Sequence, residues 1–193
     1  VNNAQVNRVA KRLIAQVPHY RADAANWNWE VNTIRDNEIN AFCLSGGKIG
    51  VLTGSITKIN ATDDELAALI GHEIAHALRD HGREKVSKKL LTGLGVLAAS
   101  SAGLGDMVVS GTSLLGDYGV NLPGSRKLES EADLLGVDIM VRAGYNPQGA
   151  ISFWNKVVAQ EKQGTKIDFL STHPTSEKRI VAIQDYINQN YRK

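Results

Sequence analysis

Leu69-Ile70-Gly71-His72-Glu73-Ile74-Ala75-His76-Ala77-Leu78 is the stretch whose reading decides the fold. It carries the pattern H-E-x-x-H inside an apolar, helix-forming run. The two histidines are four residues apart, so on a helix they lie about 40° from each other, one turn above the other. Both rings can then face one ion, and neutral imidazole is a common zinc ligand. Glu73 lies about 100° round from His72. From there it reaches a water beside the ion without being a ligand, which suits a general base. Two hydrogen-bonded histidines in an ordinary core are the other reading, and the pattern alone leaves it open.

The flanks agree with a helix. Thr62-Asp63-Asp64-Glu65 fits a capping box, with Thr62 at the N-cap and Glu65 at N3. Leu66, Ala67, Leu69, Ile70, Ile74, Ala75, Ala77 and Leu78 make the segment apolar nearly all round, which predicts a buried helix. Two histidines and a glutamate buried there need partners, and a metal is one. The helix is expected to run past His81 before Gly82 breaks it.

Before this helix, Val6, Val9, Ala10, Leu13, Ile14 and Val17 recur at helical spacing over residues 4–17, and Pro18 ends the run. Trp27, Trp29, Val31 and Thr33 alternate with polar residues as a half-buried strand, with the tryptophans as packing residues. Asp36-Asn37 reads as a turn. Ile39 to Leu44 and Lys48 to Thr53 read as a hairpin joined by Ser45-Gly46-Gly47.

Beyond it, residues 83–92 read as a helix charged on one side. Residues 90–120 are rich in Gly, Ser, Ala and Leu, and read as a lid or mobile insert over the site. A disordered insert and a membrane-surface contact are the alternatives. The stretch Leu90 to Gly105 is uncharged but shorter than the roughly 20 residues of a membrane span. Residues 125–143 return to helical spacing, with Gly144 as C-cap. Asn146-Pro147 starts a helix whose apolar face carries Ile151, Trp154, Val157 and Val158. A polar loop follows from Gln163. His173-Pro174 is expected to open a last helix with Ile180, Ile183 and Ile187 on one face. There are no internal repeats.

A catalytic zinc usually takes three protein ligands. The metzincin pattern would put glycine and a third histidine where this chain has Arg79 and Gly82, so it fails. On a continuous helix His81 lies about 140° from His76 and about 180° from His72, which makes it a capping or surface residue. The better candidate is Ser125-Arg126-Lys127-Leu128-Glu129-Ser130-Glu131-Ala132-Asp133. Glu129 and Asp133 share a helix face, and Glu131 points about 200° away from Glu129. Glu129 can supply a carboxylate ligand, and Asp133 an acceptor for the other nitrogen of a ligating histidine. A solvated acidic run is the alternative, but Leu128, Ala132, Leu134 and Leu135 make the helix half apolar, so part of the run faces inward.

His72-Glu73-x-x-His76, followed by Glu129-x-Glu131-Ala132-Asp133, resembles the HtpX and CAAX-prenyl-endopeptidase family of gluzincins. Ser171-Thr172-His173-Pro174 and Arg179 resemble its soluble bacterial periplasmic members, among them the protease associated with outer-membrane β-barrel assembly. The resemblance covers roughly residues 36–187, including the Asn40-Ala41-Phe42 strand. It implies one zinc ion at His72, His76 and Glu129, with Glu73 as base and a lid that can shut the site. It also implies that His173 can approach the zinc and give a closed, self-inhibited form. His173 and Arg179 are the candidates for an oxyanion partner. Arg126 and Arg179 are expected to pair with the site carboxylates or with substrate backbone. Within these 193 residues neither the transmembrane helices of the membrane-embedded branches nor the repeat domain of some periplasmic ones is expected.

The net charge of +2 and the scattered basic residues give no case for nucleic acid. Cys43 is the single cysteine, so there is no disulfide framework and no thiolate zinc site. The chain begins at Val1, without Met or a signal stretch, which suggests an N-terminus removed or trimmed, with any membrane anchor. The expected fold is one α+β metallopeptidase domain over 1–193, zincin-like, mostly helical with a small sheet beside the metal helix. The expected function is zinc-dependent endoproteolysis of unfolded or misassembled proteins, including outer-membrane proteins, in the bacterial periplasm. A chaperone-like envelope factor with a self-inhibited protease is the alternative, and a purely structural metal site a third reading.

Overall fold

Apolar spacing and capping residues divide the chain into seven α-helices and three strands among the described residues. The computed structural model describes residues 3–80, 123–167 and 169–191. In chain order the elements are α1 (Ala4–Ile14), β1 (Glu30–Ile34), β2 (Ala41–Leu44), β3 (Lys48–Leu52), α2 (Gly54–Thr57), α3 (Asp63–Leu78), α4 (Pro123–Arg142), α5 (Gln148–Lys162), α6 (Phe169–Thr172) and α7 (Glu177–Asn190). His81, the helix read at 83–92 and the lid read at 90–120 lie outside the described residues.

The organising helix is α3. Thr62 Oγ1 accepts from the Glu65 N–H at 3.2 Å, and Glu65 Oε1 accepts from the Thr62 N–H at 2.9 Å. This is the capping box read from the sequence. Every residue from Glu65 to Leu78 is buried, as an all-round apolar helix requires. Helices α1, α4 and α5 and strand β2 pack around it. It stops earlier than expected: Arg79 is the C-cap and Asp80 turns left-handed at φ 58°.

Glu65 also fastens α5 to α3, since Lys156 Nζ lies 2.7 Å from its Oε1. Burial pushes the Glu65 carboxyl up, but Lys156 and the Thr62 N–H outweigh it and hold it below its usual value. Asp64 Oδ1 accepts from the Asn146 N–H at 2.9 Å, joining the same two helices at their N-terminal ends.

Helix α4 reaches α3 through two glycines. A Cβ on Gly136 would lie 3.1 Å from His72 N and Cα, and one on Gly71 would lie 3.1 Å from Gly136 O. The backbones therefore meet beside His72, which brings Glu129 and Asp133 on α4 to the imidazoles. Gly136→Ala should push α4 away. It is expected to cost about 1–3 kcal/mol by denaturant melting and to weaken zinc uptake. Unchanged stability and zinc uptake would show that the close approach is not needed.

The sheet has the order β1-β3-β2, with β3 antiparallel to β2 and parallel to β1. The hairpin is as read, with Leu44 paired to Lys48 across Ser45-Gly46-Gly47. Gly46 and Gly47 sit at φ 96° and 97°, which an L side chain resists. The parallel pairing with β1 was not legible in the alternation. Strand β1 begins at Glu30, after the tryptophans, and Trp29 Nε1 donates to Ala24 O at 2.9 Å. Both tryptophans pack against the core.

Other boundaries differ in ways the caps explain. Helix α1 ends at Ile14, and Pro18 belongs to a 3-10 turn over Val17–His19. Helix α5 starts one residue later than read: Pro147 is its N-cap, and the Asn146 side chain accepts from the Gln148 N–H at 3.0 Å just before it. The last helix does not open at His173-Pro174. Ser176 is its N-cap, accepting from the Arg179 N–H at 3.3 Å. His173 instead closes α6, its N–H donating to Phe169 O at 2.9 Å. Among the described residues, no helix is long and apolar enough to cross a membrane.

Candidate metal centre

His72 and His76 lie one turn apart on α3 and turn their Nε2 atoms to the same point, 3.1 Å from each other. Glu129 Oε2, from α4, lies 2.9 Å from His72 Nε2 and 3.2 Å from His76 Nε2. His173, from the end of α6, places Nδ1 2.5 Å from Glu129 Oε1 and Nε2 3.1 Å from Glu73 Oε1. All five side chains are buried. One ligand atom from each of His72, His76, Glu129 and His173 falls within 4.8 Å of the others.

Neighbouring side chains hold these groups in place. His72 Nδ1 lies 3.2 Å from Asp133 Oδ1, one turn along α4 from Glu129. Arg179, on α7, grips Asp133 with both arms: Nε donates to Oδ2 at 2.9 Å and Nη2 to Oδ1 at 2.8 Å. Its Nη2 is also 3.6 Å from Glu129 Oε2. A third donor, Nη1, binds Pro174 O, so Arg179 ties α7 to the segment that carries His173.

Burial works against a charged His72, yet Glu129 and Asp133 outweigh it and lift its pKa to about 10. For His76 burial wins and pushes the pKa well down. Burial alone would raise the Glu129 carboxyl, but the three imidazoles hold it well below the usual range. A carboxylate kept ionised among imidazoles is the electrostatics of a cation site.

The donor set fits zinc. Two imidazole nitrogens and one carboxylate oxygen form the set of many catalytic zinc centres. Bonds of about 2.0–2.1 Å in a tetrahedral site put ligand atoms roughly 3.3 Å apart. The triangle of His72 Nε2, His76 Nε2 and Glu129 Oε2 has edges of 2.9, 3.1 and 3.2 Å. A carboxylate beside the far nitrogen of a ligating histidine is the usual support, and Asp133 stands there.

Of the residues singled out in the sequence, the structure therefore gathers His72, Glu73, His76, Glu129, Asp133, His173 and Arg179. Arg126 is exposed and makes no bond to the site carboxylates among the described residues; it lines a cavity beside Glu129. Two residues of the site were missed. Trp154 stands edge-on to His72, ring centroids 5.9 Å apart, and carries the Arg179 guanidinium over its face at 4.7 Å. Phe169 stacks on His173 at 4.3 Å. Trp154 was read as part of an apolar face, and the spacing along α5 does not say which helix that face meets.

Known proteins resemble this chain over most of its length. Residues 1–187 match the model of peptidase family M48. The chain is 37% identical over 184 residues to mitochondrial metalloendopeptidase OMA1 of Schizosaccharomyces pombe, covering 94% of this chain and 52% of that protein. It is 32% identical over 180 residues to metalloprotease LoiP of Escherichia coli, covering 91% and 69%. It is 27% identical over 194 residues to the β-barrel assembly-enhancing protease of the same bacterium, covering 95% and 38%. The chain spans about half the length, or less, of the OMA1 relatives it matches. With a family match over residues 1–187 and a buried group of three histidines and a glutamate that could hold a metal ion, this chain belongs to peptidase family M48.

Proposed function

We propose that this chain is a zinc-dependent metalloendopeptidase domain that cleaves unfolded or misassembled proteins of the cell envelope. The observation that carries the reading is the buried triangle of His72 Nε2, His76 Nε2 and Glu129 Oε2, with Glu73 beside it. Zinc held there would polarise a scissile carbonyl and lower the pKa of a water towards about 7. Glu73 takes the proton of the attacking water and delivers it to the leaving nitrogen. Asp133 fixes the His72 ring, and Arg179 fixes Asp133. Casein cleavage should stop with a chelator and return with added zinc. Cleavage that ignores the chelator would oppose the reading.

His173 gives the centre a resting state. One imidazole bridges the base Glu73 and the ligand Glu129, which are the groups a substrate needs free. It moves aside when substrate enters. His173→Ala should therefore raise casein cleavage several-fold at unchanged zinc content. A fall in cleavage would give His173 a part in the transition state instead.

The finer placement rests on the relatives. Two bacterial ones, LoiP and the β-barrel assembly-enhancing protease, are compatible with a bacterial periplasmic enzyme of the soluble branch of the HtpX-like gluzincins, while the OMA1 relatives are mitochondrial by name. By the second name, misassembled outer-membrane barrels are the substrate class to test first. The bridging His173 also favours a second reading, an assembly factor whose protease stays closed. Restoration of function in cells by a Glu73→Gln chain would support that reading. Failure to restore would support the enzyme.

A further inference from the structure

A cavity of about 540 Å³ opens beside Glu129, between the start of α4 and the start of α7. Its wall includes Arg126, Thr175, Ser176, Lys178 and Arg179. These residues take no part in the proposed chemistry, Arg179 excepted. Arg179 is committed to Asp133, Pro174 and the ring of Trp154. Arg126 and Lys178 are exposed, and neither forms an ion pair among the described residues. Among the described residues the one carboxylate in the wall is Glu129, which is committed to the imidazoles. Thr175 adds a buried hydroxyl without a hydrogen-bond partner. The N-terminus of α7, a helix of 14 residues, begins in the same wall at its N-cap Ser176 and adds its positive end.

We infer that this cavity is a substrate subsite that recognises a carboxylate, with Arg126 and Lys178 as its specificity-determining cations. The inference rests on the peptidase reading and names part of its substrate preference. Two unspent cations, a free hydroxyl and a helix N-terminus all favour one negative group. Because Glu129 forms one wall, a chain lying across the metal centre passes the mouth of the cavity. The carboxylate is either an acidic side chain near the scissile bond or the free C-terminus of the substrate.

The test uses four fluorescein-labelled decapeptides of one neutral sequence. Each carries Asp or Asn at a central position, and a free or amidated C-terminus. Binding is read by anisotropy to the zinc-loaded Glu73→Gln chain, with and without Arg126→Ala and Lys178→Ala together. Both cations are exposed, so the double variant should keep its fold and its zinc, checked by melting and metal content. The expected result is about tenfold tighter binding of a carboxylate peptide than of its amide partner, falling to near parity in the double variant. Preference for Asp over Asn assigns a side-chain carboxylate, and preference for the free terminus assigns the C-terminus. Equal affinity for all four, binding to none, or a preference that survives the double substitution overturns the inference. Casein cleavage by the wild-type chain is measured alongside. Cleavage without carboxylate preference overturns the subsite alone, whereas absence of both zinc and cleavage removes the peptidase reading and the subsite with it.

Discussion

Glu73→Gln should leave the zinc content unchanged and slow casein cleavage by at least about 10³-fold. The side chain is buried beside the ligands, 3.1 Å from His173 through Oε1, and it is not a corner of the His72–His76–Glu129 triangle. Glutamine keeps the volume and one oxygen, so packing and metal binding should survive. What it loses is the ability to take a proton. Single-turnover cleavage at saturating substrate checks the chemical step apart from binding. Near-normal turnover in this variant would remove Glu73 from the mechanism.

Glu129→Ala is expected to have the second large effect, and on metal rather than on chemistry alone. It removes the side chain that α4 contributes to the proposed ligand set and the negative charge that faces three imidazoles. Zinc content after dialysis should fall to background, and cleavage with it. The metal-free chain should also lose about 3 kcal/mol of stability, since a buried charge cluster loses its counter-ion. Glu129→Gln separates the two consequences, because it keeps the shape and removes the charge. Full zinc occupancy in Glu129→Ala would mean that another group completes the site.

The metal helix was legible because its signals are local. A capping box, an apolar run and two histidines at one-turn spacing all lie within Thr62 to Leu78, and each is readable from geometry of the α-helix. Glu129 and Asp133 were legible as a pair because they share a face. Their distance from the histidines was not, since it is set by Gly71 and Gly136 meeting across two helices. The last helix shows the limit of dipeptide signals. His173-Pro174 looked like a helix start, but Ser176 supplies the cap, which leaves His173 free to end α6 and enter the centre. Trp154 and Phe169 were unreadable as site residues for the same reason: apolar faces carry no address. The parallel pairing of β1 with β3 is likewise a long-range choice that alternation within one strand does not encode.

The central claim is that α3 and α4 meet so that two imidazoles and one carboxylate hold a single ion. Zinc analysis together with zinc-edge X-ray absorption, on wild type and Glu129→Ala, tests it most directly. The account predicts one zinc per chain in the wild type, with two imidazole nitrogens and a carboxylate oxygen bound, and loss of that zinc in the variant. A wild-type chain that takes up no zinc, or a zinc spectrum that Glu129→Ala leaves unchanged, would contradict it.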